Sequence, residues 1–383
     1  MRALVTNCTR NSGLAVMHAL HASGWQVCGA DDRVFAFGLH SRSAMAPYEL
    51  LPAEDDPRFV AALTALLDRL RPEVLMPTRG IEAACGARNT LRARTGCLLP
   101  SSESFACVND KSRLLPLCVA LGVEAPQPMT LAEARHYLEH TPEGMVVVKP
   151  CRDAGGGQGV IMLRDPAALE PALAAVADRH GPAFICEYVP GPITHLRAVH
   201  LLFDADSRLI AFFILRKQRI WPARVGVTVA GVSTHEADLL RGVVPLLQRL
   251  RWQGPADAEF KIDARDGRPK LLEINPRFSG AIQFAIGSGV DFATLYARAA
   301  LGEQLPEAAE PAYAQGLRYV DTTRWLAGAA TELCAAPGQL RSWLRSCRDE
   351  LAQPRVPPVQ RLADPAPLLG KLLPMRRYGP FRA

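Results

Sequence analysis

The chain has 383 residues, 49% of them hydrophobic and 21% charged, so it exceeds one ordinary core and predicts two or three domains of soluble globular type. No uninterrupted apolar run reaches the roughly 18 residues of a membrane helix, since the longest candidate, AVHLLFDADSRLIAFFIL, is broken by Asp204, Asp206 and Arg208. The net charge of +6 lies wholly in the tail: the first 340 residues carry 35 charges of each sign, whereas nine Lys and Arg face three acids from residue 341 onward, which excludes a nucleic-acid footprint on the body.

The start, MRALVTNCTRNSG, has one basic residue and turns polar by Thr6. It does not read as a signal peptide, and a cytoplasmic location is expected. The ten cysteines agree with that: none forms a C-x-x-C pair, and Cys28, Cys97, Cys118 and Cys186 sit in apolar segments, as buried thiols do in a reducing compartment.

In chain order, ALVTNC predicts a strand, NSGLAVMHALHASG a helix and WQVCGADD a second strand, the βαβ opening of a Rossmann-like unit. Its turn, TNCTRNSG, has one glycine where a pyrophosphate cradle needs G-x-G-x-x-G, so Asp31 and Asp32 do not read as ribose-binding acids. The helix DPRFVAALTALLDRLR, the strand EVLMPT, the helix CGARNTLRARTG and the strand CLLP complete an α/β domain over residues 1–105. FACVNDKSRLLPLCVALG predicts one helix, VEAPQP a linker, and a further helix carries His136 and His140. Those two histidines lack the Glu of H-E-x-x-H and a third ligand, and read as a surface pair. GMVVVKPCRDAGGGQGVIML reads as strand, glycine loop and strand, ALEPALAAVADRHG as a helix, and AFICEYV as a buried strand. RAVHLLFDADSRLIAFFILRKQR predicts a hairpin, GVSTHEADLLRGVVPLLQRLR a helix, ADAEFKIDARDGRPKLLEINP a second hairpin turned at DGRP, and DFATLYARAALGEQ a closing helix. Beyond residue 303 the composition shifts to alanine, proline and arginine, and residues 304–383 read as a basic appended element.

The second hairpin carries chemistry. In KLLEINPRFSG, period two sets Leu272 and Ile274 on one face and Glu273 and Asn275 on the other. ADAEFKID alternates in the same way, so Glu259 and Glu273 are expected on neighbouring antiparallel strands facing one side. With Asn275 they form three hard oxygen ligands suited to magnesium, provided that phosphates complete the shell. Asp257 either flanks that site or is an exposed strand residue. Arg277, just beyond, could grip a phosphate. Lys149 ends the apolar strand MVVVK, and a loop with Gly155, Gly156, Gly157 and Gly159 can bring backbone N–H groups onto phosphate oxygens. No Lys-Ser or Lys-Thr follows, so this is not a Walker A loop. In AFICEYVPGP, an apolar face suits a flat heterocycle, and a carbonyl followed by the Val189 N–H can pair with adenine.

The order NDK, VVVKP, GGGQGV, CEYVPG, AEFKID, LLEINPRFSG resembles the ATP-grasp superfamily, and most closely its carboxylate–amine ligase and carbamoyl-phosphate-synthase-like branch. VLMPTRGIEAACGARN and the N-terminal α/β domain resemble the domain that precedes that fold, and the likeness covers residues 1–303. It implies an α/β and α+β chain with a pre-ATP-grasp domain at 1–105, a two-lobed ATP-grasp domain at 106–303 (first lobe 106–190, second lobe 191–303) and the extension. It implies that Lys111 and Lys149 contact ATP phosphates and that the loop from Gly155 to Gly159 closes over them. Cys186 (through its carbonyl), Glu187, Val189 and Thr194 would bind adenine and ribose. Glu259, Glu273 and Asn275 would hold one or two Mg²⁺, with Mn²⁺ as a substitute. Arg277 would neutralise the transferred phosphoryl group, with Arg216 and Arg219 as further contacts.

One departure stands out. The family's second acid after the glycine of CEYVPG is absent, the segment reading PITH, so Glu187, Thr194 or His195 would have to take the ribose. The implied activity joins a carboxylic acid to an amine, both small and amino-acid-like, with ADP release; neither nucleic acid nor membrane is a partner, and a homodimer is the family expectation. Two rivals are a bicarbonate-using carbamoyl-phosphate or carboxylase-type enzyme and a catalytically silent nucleotide-binding scaffold.

Overall fold

The computed structural model describes residues 1–33, 36–45, 48–78, 80–152, 157–222, 226–326, 328, 348, 354–359 and 363–367. Continuous apolar runs need a parallel sheet covered on both faces, and the N-terminal segment builds one. β1 (Arg2–Thr6) pairs in parallel with β2 (Gln26–Asp31) and β4 (Val74–Pro77), and β2 with β3 (Glu49–Leu50), giving the order β3-β2-β1-β4. Helices α1 (Asn11–Ala22), α2 (Phe59–Leu70), α3 (Ile81–Gly86) and α4 (Arg88–Arg92) connect these strands. The expected single helix over CGARNTLRARTG is thus interrupted at Ala87, and CLLP forms no strand; the residue before it, Gly96, makes an isolated parallel bridge to Val74 of β4. Asp31 is buried at the end of β2. Its buried carboxylate accepts from Thr9 N and Oγ1 at 2.9 and 2.8 Å; burial, with Asp32 alongside, raises its pKa to about 7.

The next expected helix is also split. α5 (Ser102–Asn109) and α6 (Lys111–Ala120) meet at Asp110, whose side chain caps α6 by accepting from Ser112 N at 3.0 Å. That break places Lys111 at the first position of α6. A small lobe follows, made of β5 (Pro128–Met129), α7 (Leu131–His140), β6 (Val146–Pro150), β7 (Ile161–Leu163), α8 (Leu169–His180) and β8 (Ala183–Glu187). Its antiparallel sheet has the order β5-β8-β6-β7, and Leu138, Val146, Val148, Leu169, Val176 and Ile185 form a core of its own. Leu114, Leu115 and Cys118 of α6 belong instead to the main core. The separately cored unit therefore spans about residues 128–187, narrower than the expected 106–190.

The large antiparallel sheet comprises β9 (Leu196–Phe203), β10 (Leu209–Trp221), β11 (Val227–Ser233), β12 (Gly254–Ile262), β13 (Pro269–Asn275) and β14 (Arg318–Val320), in the order β13-β12-β9-β10-β11-β14. GVS, expected to open a helix, ends β11; α9 (Ala237–Arg249) starts only afterwards and buries Leu239, Val243, Leu246 and Leu247 along one stripe, each side chain contributing about 1.5–3 kcal/mol. α10 (Ile282–Gly287) and α11 (Phe292–Ala300) pack against α1, so one continuous core joins the N-terminal sheet to the large sheet.

Residues beyond 303 are not simply appended. Tyr313 is buried, its hydroxyl accepting from Ile214 N at 2.8 Å and donating to the Thr234 carbonyl at 2.9 Å. β14 closes the edge of β11, and Val356 bridges to Tyr319. The physical reason is that an uncovered β11 would present a row of unpaired backbone groups. Most of the remaining basic tail lies outside the described residues.

Gly254 opens β12 with φ +87°, and a Cβ there would stand 2.6 Å from the Leu98 carbonyl oxygen. Gly254→Ala should therefore lower stability by about 2 kcal/mol or more, read as a fall in denaturant midpoint at unchanged m-value.

Candidate active site

The small lobe and the large sheet face one another across a cavity of about 630 Å³, a volume suited to a nucleotide-sized ligand. Alternation decides what enters it. On β12, Ala256, Ala258 and Phe260 enter the core, while Asp257, Glu259 and Lys261 line the cavity. On β13, Glu273 and Asn275 line it and Ile274 is buried in the core. Glu259 stands directly opposite Glu273, and Asp257 opposite Asn275, the expected placement of both glutamates. The alternation at Leu272 differs from expectation. A register shift falls between the Glu259–Glu273 and Phe260–Leu271 pairs, so Leu271 is in the core and Leu272 turns to the cavity. A bulge of this type inserts one residue and reverses the facing of those beyond it.

Four cationic groups bear on this carboxylate pair. Lys111 Nζ lies 3.0 Å from Glu273 Oε2, and Lys217 Nζ lies 2.7 Å from Glu259 Oε2. Lys149 shares the cavity face of β6 with Val147, because Val146 and Val148 point into the lobe's core; its ammonium donates to the Leu272 carbonyl at 3.5 Å and sits 5.3 Å from the Phe184 ring centroid. Arg277 Nη2 donates to Asn275 Oδ1 at 3.3 Å, and Asn275 Nδ2 donates to Glu273 Oε1 at 3.3 Å.

The two glutamates titrate in opposite directions. For Glu273, burial favours the neutral acid, but the ammoniums of Lys111 and then Lys149 overcome it and hold the pKa down at about 2. For Glu259, burial prevails over the Lys217 ammonium, and Glu273 opposite adds repulsion, so its pKa is raised. Among the described residues no group of three or more His, Cys, Asp or Glu side chains could hold a metal. A site of two carboxylates and an amide fits Mg²⁺ only with phosphate oxygens completing the shell, which is how this hard cation is commonly held.

The other expected residues divide. Cys186, Glu187 and Val189 line the cavity beside the apolar Met145, Val147, Ile193 and Leu196. Glu187 is not free for a ribose, because Lys270 Nζ at 2.9 Å and the Arg265 guanidinium hold its carboxylate. Burial would raise its pKa, yet these two cations lower it. Thr194 is not among the cavity-lining residues, and its carbonyl accepts from Arg197; His195 Nδ1 bonds the Ile262 carbonyl at 2.9 Å. Gly157 lines the cavity with φ +75°, and Gly159, with the same φ, packs against His180 and Pro150. Gly155 and Gly156 lie outside the described residues. Neither Arg216 nor Arg219 lines the cavity. Lys217 between them does, since adjacent strand residues point to opposite faces and a bulge follows at Arg219.

Two groups escaped the sequence reading, Lys217 and the turn after β1, and for a third, Asp257, the structure decides between the two expected placements. Lys217 is only 2% exposed, although it stands in the polar run RKQR, whose pattern carries no sign of which residue turns inward. Asp257 is buried rather than exposed, and accepts from His200 Nδ1 at 3.0 Å across β9 and β12. His200 is itself buried. The turn after β1 contributes Arg10, Asn11 and Ser12 to the cavity. His136 and His140 form an exposed pair in which His140 Nδ1 bonds the His136 carbonyl at 2.8 Å. No helix among the described residues is long and apolar enough to cross a membrane.

Residues 202–324 match a family model described as ATP-grasp in the biosynthetic pathway with Ter operon. The chain is 25% identical over 109 residues to a D-aspartate ligase of Enterococcus faecium (strain Aus0004), a match spanning 28% of this chain and only 26% of that protein. Among solved structures, the biotin carboxylase of Campylobacter jejuni superposes with a TM-score of 0.65 at 15% identity, covering 82% of this chain and 74% of that one. The biotin carboxylase domain of Hydrogenobacter thermophilus 2-oxoglutarate carboxylase, solved with MgADP, ADP and bicarbonate, gives 0.62 at 18% identity over 82% of this chain and 72% of that one. An N5-carboxyaminoimidazole synthetase of Staphylococcus aureus gives 0.58 at 14% identity, covering 80% and 78%.

Proposed function

We propose that this chain, which is an ATP-grasp protein, is an ADP-forming ligase that joins a small carboxylic acid to an amine. The observation that carries the reading is the in-register opposition of Glu259 and Glu273, each with its own buried lysine, across a cavity from Lys149. Phosphoryl transfer needs positioning and charge neutralisation more than covalent help from the protein. Lys111, Lys149 and Lys217 supply fixed positive charge. Glu259, Glu273 and Asn275 would hold one or two Mg²⁺ between themselves and the nucleotide's phosphates, and the metal would supply Lewis-acid polarisation there. The apolar wall of Val147, Val189, Ile193 and Leu196 suits the adenine, with the Cys186 carbonyl and Val189 N–H at its edge.

In the proposed reaction a carboxylate oxygen of the acid attacks the γ-phosphorus as the bond to the β-bridging oxygen breaks, so that ADP leaves with that electron pair. The amine nitrogen then attacks the acyl carbon, phosphate departs, and the proton from nitrogen passes to solvent. Arg277 would neutralise the transferred group. A phosphate-release screen of amino acids and small carboxylic acids, alone and in pairs, tests this: ADP release should require Mg²⁺ and an acid, and amide should form only with an amine present. Absence of acid-dependent release across the panel would overturn the reading.

A second reading is a bicarbonate-using carboxylase-type enzyme, favoured by the likeness to biotin carboxylase domains, one of them solved with bicarbonate. Release of ADP dependent on bicarbonate, with no organic acid added, selects it.

A further inference from the structure

The end of the cavity beyond Arg277 is walled by segments distant in sequence. Arg10, Asn11 and Ser12, at the start of α1, line it together with Gly280 and Arg324. These segments form one continuous wall. Asn11 Nδ2 donates to Asp321 Oδ2 at 2.7 Å, and Asp321, 1% exposed, pairs from behind with Arg324 Nη1 at 3.4 Å. A Cβ on Gly280 would lie 3.9 Å from that same Nη1, so Arg324 reaches over the backbone three residues past Arg277.

Three features of this wall favour an anion. The cavity is lined by eight Lys and Arg against four Asp and Glu, a surplus of four positive charges, and all four acids (Glu187, Asp257, Glu259, Glu273) lie on β8, β12 and β13, away from α1. The first turn of α1, a 12-residue helix, has no acidic residue and no side-chain cap, leaving its positive end toward the cavity. Ser12 is 3% exposed and lines the cavity, yet its hydroxyl has no partner among the described residues. That oxygen is not among the unpartnered atoms sealed from solvent, so it opens to the cavity, where a ligand can hydrogen-bond it.

We infer that this end holds a second fixed negative charge on the acid substrate, so the substrate class is a compact acid with two anionic groups. One carboxylate is presented to the γ-phosphate beside Arg277. The other anion is received by Ser12, the start of α1, Arg10 and Arg324. This rests on the ligase reading of the same cavity. A carboxylate or a phosphate monoester has the required chemistry.

The test is calorimetric binding of matched acids to the full chain saturated with Mg²⁺ and a non-hydrolysable ATP analogue, run beside ADP release with ATP. Succinate is compared with propionate, aspartate with alanine, and 3-phosphoglycerate with glycerate. In the carboxylate pairs, in the phosphate pair, or in both, the dianionic member should bind at least tenfold more tightly, as charge-assisted hydrogen bonds imply. The pair in which the preference appears identifies the second group. Arg324→Gln should erase most of that preference and Ser12→Ala about threefold of it, with the monoanions unaffected in both. Ser12→Ala leaves the Arg324–Asp321 pair intact and serves if Arg324→Gln fails to fold. Equal affinity within all three pairs, or a preference unchanged in Ser12→Ala, overturns the inference. Turnover of mono- and dianionic acids alike, with equal affinities, leaves the ligase reading standing without it. A clear dianion preference without ADP release removes the ligase reading and leaves the anion site.

Discussion

Glu273→Gln is expected to abolish Mg²⁺-dependent ADP release, with a loss of about 10³-fold or more in kcat, while the fold persists. Glu273 faces Glu259 in register and takes the Lys111 ammonium at 3.0 Å. The amide keeps the size and one oxygen but removes the charge that would bind a metal, and losing several kcal/mol of transition-state stabilisation corresponds to that factor. Stability should fall as well. With a pKa of about 2, far below its value in an unfolded chain, Glu273 contributes stability that is fully present above about pH 4.5 and is lost as the pH falls toward 2. The variant lacks this component, so the gap between the two proteins in denaturant midpoint should be widest near neutrality and narrow on acidification. Phosphate release measured beside circular dichroism separates the two effects; full turnover in a folded variant would contradict the assignment.

Lys217→Ala should lower kcat/KM by about 10²-fold or more and also displace the acid limb of its pH profile. Glu259 already titrates above the usual carboxylate value because burial outweighs the ammonium 2.7 Å away. Deleting that ammonium leaves burial and the opposed Glu273 unopposed, so the Glu259 pKa rises further. The protonated acid cannot serve as a metal ligand. Activity therefore falls away at a higher pH than in the parent. Lys217→Arg, which retains the charge, should restore the position of the limb even if the rate stays low. A profile unmoved in Lys217→Ala would mean that Glu259 is not the group titrating.

These expectations draw unequally on the sequence. The placement of Glu259, Glu273 and Asn275 was legible from the alternation of ADAEFKID and LEIN, and that of Lys149 from its position at the end of an apolar strand. Leu272 was misread, since a bulge leaves no mark in a run of apolar residues. Arg216 and Arg219 were expected as contacts from the family resemblance, yet Lys217 is the one turned to the cavity. One residue of register exchanges the faces of a whole strand, and RKQR alone does not state its register. On the ribose side the sequence lacks the expected acid, and the structure engages Glu187 with Lys270 and Arg265.

Taken by itself, the sequence determined the element types of the N-terminal α/β unit, the two hairpins and the convergence of two carboxylates on one side of the second, because those follow from local periodicity. Tertiary structure alone decided which cation meets which carboxylate, that β14 completes the sheet beyond the expected domain boundary, and that the start of α1, Gly280 and Arg324 share a wall. Pairings between residues tens to hundreds of positions apart depend on how strands order and helices dock, and local pattern carries no term for that.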